Sequence, residues 1–185
     1  MRKIYFFMLI SLDGYFEGPN HSLDWHHVDE EFNDFAIEQL HHTDTLVFGR
    51  VTYDLMASFW PTKEAIQTDP VVADLMNSTP KYVFSKTLQE ATWNNTTLVN
   101  EHAADKILEL KKQNGKDIGI LGSNNLTVHL LEQNAIDEFR ILVNPVALGK
   151  GSLLFAGISK PYDLTLLTSR QFSSGNMLLT YAHTK

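Results

Sequence analysis

The chain has 185 residues, a formal net charge of −7, 43% hydrophobic and 20% charged residues, and no cysteine. These totals suit one globular domain over residues 1–185 and exclude a disulfide framework, a thiol nucleophile and cysteine-based metal sites, while fitting a reducing cytoplasm. No Lys or Arg occurs between Lys3 and Arg50, so the basic stripe needed for nucleic acid is missing.

Residues Ile4 to Ile10 are nearly all apolar, the pattern of a central strand covered on both faces. The run is too short to cross a bilayer, and no small-residue cleavage site follows it, so a buried strand is expected rather than a membrane or signal segment. Ser11-Leu12-Asp13-Gly14 ends it, and a loop with Tyr15, Phe16 and Trp25 runs to His27. Loops of that length are disproportionately functional. Asp29 is placed to cap a helix whose apolar face is Phe32, Phe35, Ala36 and Leu40.

A second strand spans Thr45 to Phe48. Gly49-Arg50-Val51-Thr52 turns it into a short helix with Leu55, Met56, Phe59 and Trp60 inward, stopped by Pro61. Asp69-Pro70 reads as an N-cap followed by proline at the first helical position, starting a helix through Met76. Further strands are expected at Tyr82 to Ser85 and Thr96 to Val99, then a helix from Ala103 to Gln113.

The strand Ile118 to Leu121, the turn Gly122-Ser123-Asn124, the helix carrying Leu126, Leu130 and Leu131, and the strand Phe139 to Val143 make a βαβ unit. Leu164 to Phe172 and Met177 to Tyr181 form a closing hairpin around Ser173-Ser174-Gly175-Asn176. The expected fold is α/β, a three-layer α/β/α arrangement around a mixed, mainly parallel eight-stranded sheet with a C-terminal antiparallel hairpin.

Three strand-end turns carry anion-binding chemistry. In the βαβ unit, Gly122 lets the backbone approach closely, Ser123 supplies a hydroxyl and Asn124 a helix cap. Gly49-Arg50-Val51-Thr52 places a guanidinium and a hydroxyl at a helix start, and Ser85-Lys86-Thr87 sets two hydroxyls around an ammonium. Each turn alone also fits an ordinary capped connection. Together they suggest one ligand with several phosphates, a nucleotide cofactor. The histidine pairs His26-His27 and His41-His42 diverge and lack ligand spacing, so no metal is expected.

The segments SLDGYFEGPNHSLDW, TLVFGRVTYDLM, VFSKTL and ILGSNNL…LLEQNAIDEFRILVNPVALGKGSLLF resemble the dihydrofolate reductase-like superfamily. The resemblance is closest to the C-terminal reductase domain of riboflavin-biosynthesis deaminase/reductases and its stand-alone bacterial relatives, and it covers nearly the whole chain in order. It implies an NADPH-dependent reductase acting on a small heterocyclic, pterin- or pyrimidine-like substrate, in a cytoplasmic homodimer. It implies that Gly49, Arg50 and Thr52 grip cofactor phosphates, that Ser85 and Lys86 read the adenosine 2′-phosphate, and that Gly122, Ser123, Asn124 and Leu126 lie under the pyrophosphate and nicotinamide ribose. Asp13 and Gly14 match the strand end facing nicotinamide and substrate. Trp25 looks like the tryptophan before the substrate helix, with Phe32 as a second wall.

The family's catalytic carboxylate falls near Asp29 and Glu30, although Asp29 also reads as a plain N-cap. Only Lys63 lies between Arg50 and Lys81, so the arginine that clamps a folate tail is absent. An uncharged or weakly charged ring is the favoured substrate. A non-catalytic nucleotide or flavin binder of the same fold is the alternative.

Overall fold

The strand Ile4–Ser11 (β1) lies inside the sheet because both its faces are apolar: Ile4 and Phe6 enter one core, Phe7 and Leu9 another. The structure is a computed structural model and describes residues 2–183. After β1 come β2 (Tyr15–Glu17), α1 (Glu30–His41), β3 (Thr43–Gly49), α2 (Arg50–Phe59), α3 (Lys63–Thr68), α4 (Pro70–Ser78), β4 (Lys81–Phe84), β5 (Thr96–Val99) and α5 (Ala103–Lys112). The chain continues through β6 (Asp117–Ile120), α6 (Asn124–Glu132), β7 (Glu138–Asn144), β8 (Ser152–Leu153), β9 (Leu164–Gln171) and β10 (Met177–His183).

The main sheet has eight strands in the order β5-β4-β3-β6-β1-β7-β10-β9. Pairs from β5 to β7 are parallel, and β10 runs antiparallel to both β7 and β9. This is the expected mixed sheet with its C-terminal hairpin. The short strands β2 and β8 pair separately, Tyr15 with Leu153 and Glu17 with Ser152.

Alternation along the strands divides the core. On one face Ile4, Phe6, Val47 and Ile118 pack with Ile107 and Leu110 of α5 and Leu126 and Leu130 of α6. On the other, Leu46, Phe48 and Val83 pack with Leu40 of α1, Tyr53 of α2 and Val72 and Met76 of α4. Fully burying a side chain of this size contributes about 1.5–3 kcal/mol, so these two layers supply most of the driving force.

One helix departs from expectation. Within α2 only Tyr53 is buried, while Leu55 and Phe59 remain 47% and 43% exposed. Met56 and Trp60 do turn inward, packing partly buried against the core around Leu46, Phe48 and Tyr53, whereas Leu55 and Phe59 stay largely outside it, and Leu55, Met56 and Trp60 also border an open cleft.

Candidate functional site

The cleft follows from strand pairing. β3 and β6 run parallel with Leu46 opposite Gly119 and Val47 opposite Ile120, so their carboxyl ends emerge side by side. The Gly49 N–H donates to the Gly122 carbonyl at 2.9 Å, tying the two turns together. Gly122 has φ +106°, and a Cβ there would lie 2.8 Å from Thr52 Oγ1; glycine alone fits. β4 lies on the other side of β3 and delivers Ser85 and Lys86 to the same edge.

A groove of about 840 Å³ runs along this edge, lined by Gly49, Arg50, Ser85, Lys86, Ser123 and Leu126, with Glu101 and Asp105 on its far wall. Arg50 and Lys86 are exposed. Arg50 Nη1 pairs with Asp54 at 3.0 Å in a solvent-open contact. The Ser85 hydroxyl accepts from the N–H groups of Thr87 and Leu88 at 3.2 and 2.9 Å, so it shapes the turn.

A cavity of about 940 Å³ adjoins the groove and shares Val51, Ser123 and Asn125 with it. Phe7 and Leu9 of β1, Phe32 and Leu40 of α1, and Met56 and Trp60 near α2 wall it, with Thr52 and Asn124 on the groove side. The β2–β8 pair covers one flank through Phe16, Glu17, Ser152 and Leu153. Ser123 occupies the N-cap position of α6, so Asn124 is not the cap; it is the first helical residue. Asn124 is buried, its Nδ2 donates to Ala156 at 3.2 Å, and its Oδ1 has no hydrogen-bond partner among the described residues.

The residues anticipated at the cofactor turns are therefore gathered along one continuous cleft, with Gly122 beneath it. Those anticipated for proton transfer are not. The Asp29 carboxylate accepts from the Phe32 N–H at 2.8 Å as the N-cap of α1, and Glu30 is exposed in the first turn. Neither lines the cavity. The α1 positions that do are Phe32, Asn33, Ala36, Gln39 and Leu40, none of them acidic.

Asp13 also lies outside the lining. It accepts from Ser11 Oγ at 2.7 Å and from the N–H groups of Leu148 and Gly149 at 3.0 and 2.7 Å. Those bonds, the Ser11 hydroxyl's foremost, hold its carboxyl at about 2, which suits a loop tie and not an acid near neutrality. Gly14 is likewise outside the lining; its carbonyl accepts from the Leu154 N–H at 3.1 Å, tying the turn after β1 to the residue after β8. The Trp25 indole donates to Ser22 O at 3.1 Å and packs edge-on against His26; of the two aromatic walls expected, only Phe32 faces the cavity.

Sequence reasoning missed Glu17, His21, His26 and Ser152. All four line the cavity. Glu17, His21 and His26 fall in the long loop singled out for its length, whereas Ser152 reaches Glu17 across 135 positions and left no local signal.

The sheet order, the strand-end turns and the cavity beside β1 define a dihydrofolate reductase-like α/β protein. The chain belongs to the family of the RibD C-terminal domain, whose model matches residues 2–178. It is similar to YyaP of Bacillus subtilis (strain 168), with 34% identity over 182 residues, covering 97% of this chain and 94% of YyaP. A crystal structure of a candidate riboflavin biosynthesis protein from Shewanella sp. PV-4 superposes with a TM-score of 0.75 at 26% identity, over 99% of each chain. Dihydrofolate reductase from Enterococcus faecalis, solved with NADP(H) and RAB-propyl, superposes at 0.65 with 15% identity, over 99% of this chain and 97% of that one. The last likeness shows the fold alone. Family membership supports a reductase-type function. Among the described residues no helix is long and apolar enough to cross a membrane.

Proposed function

We propose that this protein is an NADPH-dependent reductase that passes a hydride to a small heterocyclic, pterin- or pyrimidine-like substrate. The observation that carries this reading is the continuity of the two cavities at Val51, Ser123 and Asn125. One holds cations and helix starts suited to phosphates, the other an apolar wall suited to a ring. The residues present fit a dinucleotide: Arg50 and Lys86 for a phosphate, the α6 N-terminus for a second anion, and the orphaned Asn124 Oδ1 for a donor on the ligand. When bound, NADPH supplies the hydride, and the protein binds, orients and excludes water.

A non-catalytic nucleotide or flavin binder remains the second reading, favoured by the lack of any carboxylate at the cavity-facing positions of α1. NADPH oxidation with a panel of pterins and aminopyrimidines separates the two. The wild type should oxidise NADPH with at least one of them, and Ala36→Trp, which fills the ring cavity, should bind NADPH without oxidising it. NADPH binding by the wild type with no oxidation across the panel would leave the binder.

The proposal extends to a cytoplasmic homodimer. The edge strand β9 is exposed along nearly all its length, with Leu166 and Leu167 at 51% and 49%, a row that a second copy would cover. Sedimentation at micromolar concentration should give twice the chain mass; a monomer would contradict it.

A further inference from the structure

Charge is unevenly placed along the cleft. Arg50 and Lys86 lie in the groove, while among the described residues no Lys or Arg lines the cavity. The cavity's carboxylate and imidazole lining is Glu17, His21, His26 and Asp69, and the phenol of Tyr15, which also lines it, donates to the Gly149 carbonyl at 3.5 Å. The Asp69 carboxylate accepts from the Val72 N–H at 3.3 Å as the N-cap of α4. Burial pushes His26 down to about 4, so its ring is neutral at physiological pH. Glu17 is the carboxylate left to meet a ligand.

Glu17 is held in place from two sides. It ends β2 directly opposite Ser152 of β8, whose Oγ donates to Oε1 at 2.6 Å, and His21 Nδ1 lies 2.9 Å from Oε2. The Glu17 side chain is 14% exposed and that of His21 78% exposed. A carboxylate offers roughly four acceptor positions, so two partners leave about half of them open. Around it the surface is apolar even at the mouth, where Val28, Val51, Leu55 and Leu153 remain 59%, 54%, 47% and 47% exposed. An anionic group entering here would be desolvated beside Glu17 with no counter-cation, whereas an N–H edge would find a fixed acceptor.

We propose that this cavity takes a non-anionic aromatic ring bearing an amidine-like N–H edge, and that Glu17, fixed by Ser152 and His21, is the residue that selects it. Calling that ligand the substrate rests on the reductase reading; the recognition itself does not. The test uses one carbon skeleton in three forms, 2-aminoquinoline, quinoline and quinoline-2-carboxylate, titrated calorimetrically into the full chain. The amine should bind tightest and the carboxylate weakest. Glu17→Gln, which keeps a partner for both Ser152 and His21, should weaken the amine by about 10- to 100-fold, the worth of a hydrogen bond to a charged group, and leave quinoline unchanged.

Val28→Lys adds a cation at the mouth and should raise the affinity for the carboxylate, a test that holds even if Glu17→Gln melts early. Three results would each overturn the proposal: the wild type binding the carboxylate as tightly as the amine, the amine unaffected by Glu17→Gln, or no member of the series bound. NADPH titrated into the same samples keeps the two readings apart, because failure to bind it sinks the reductase reading while the quinoline ranking stands.

Discussion

Gly49 and Ser123, at the ends of neighbouring strands, approach so closely that a Cβ on Gly49 would lie 2.2 Å from Ser123 Oγ and 3.2 Å from Ser123 Cβ and N. The backbone of Gly49 is extended, with φ −79°, so the constraint is contact and not conformation. Gly49→Ala should therefore push the two turns apart, costing about 1–3 kcal/mol as overpacking does. Because both turns line the groove, dinucleotide affinity should fall with it. Adding Ser123→Gly should recover much of the stability, since it removes the hydroxyl and Cβ in the way. Denaturant midpoints for the two single variants and the double variant measure this; a double variant no better than Gly49→Ala would disprove the contact.

Asp29 offers a sharper separation of roles. Its carboxylate satisfies the Phe32 N–H at 2.8 Å, so Asp29→Ala should destabilise the chain by about 0.5–2 kcal/mol as a lost N-cap. Turnover of NADPH with any accepted heterocycle should be unchanged below the melting range. A hundredfold loss of rate without loss of stability would restore Asp29 as the acid.

Lys81 is wholly buried, and its Nζ donates to the carbonyls of Met76, Asn77 and Thr79 at 2.8, 3.1 and 2.7 Å, with the Trp93 ring 4.6 Å away. The Met76 carbonyl lacks its usual helical donor because the residue four places on is Pro80, which has no N–H. Asn95 also serves the Asn77 carbonyl, so Lys81→Met should orphan two acceptors, those of Met76 and Thr79. The expected loss is about 2–6 kcal/mol at one to three per buried unsatisfied group, read as a lower midpoint in urea. A variant as stable as wild type would show that the helix end finds other partners.

His26 should make stability depend on acidity. Burial lowers its ring from 6.5 to about 4 in the folded chain. Between those values the unfolded chain takes up the proton first, so the contribution is complete above pH 6.5 and is lost as pH falls through about 4. Urea midpoints should decline across that window in the wild type and decline less in His26→Phe. A ring titration by NMR near 6.5 in the native state would refute the assignment.

How far the sequence reached depended on whether a signal was local. β1 and β3 were legible because continuous apolar runs demand cover on both faces, and the strand-end turns were legible because Gly, Ser and Thr cluster within four residues. The pair β2–β8 was not, being strands of three and two residues joined over a long separation. The stripe on α2 was visible, but periodicity does not say whether an apolar face meets a core or an open cavity. At Asp29 two local meanings competed, and the cap prevailed because the helix needs an acceptor for its first N–H groups.

In the proposed function, the groove beside β3, β4 and α6 holds NADPH, with Arg50 and Lys86 on its extra phosphate. Calorimetric titration of NADPH and NADH into the wild type at low salt tests it most directly. Both cations are exposed, which places the expected preference for NADPH at about 10- to 100-fold, shrinking as salt rises. In the Arg50→Ala/Lys86→Ala double variant that preference should collapse while NADH affinity holds. Equal affinity of the wild type for both cofactors, or a preference for NADH driven by Glu101 and Asp105 on the same groove, would contradict it.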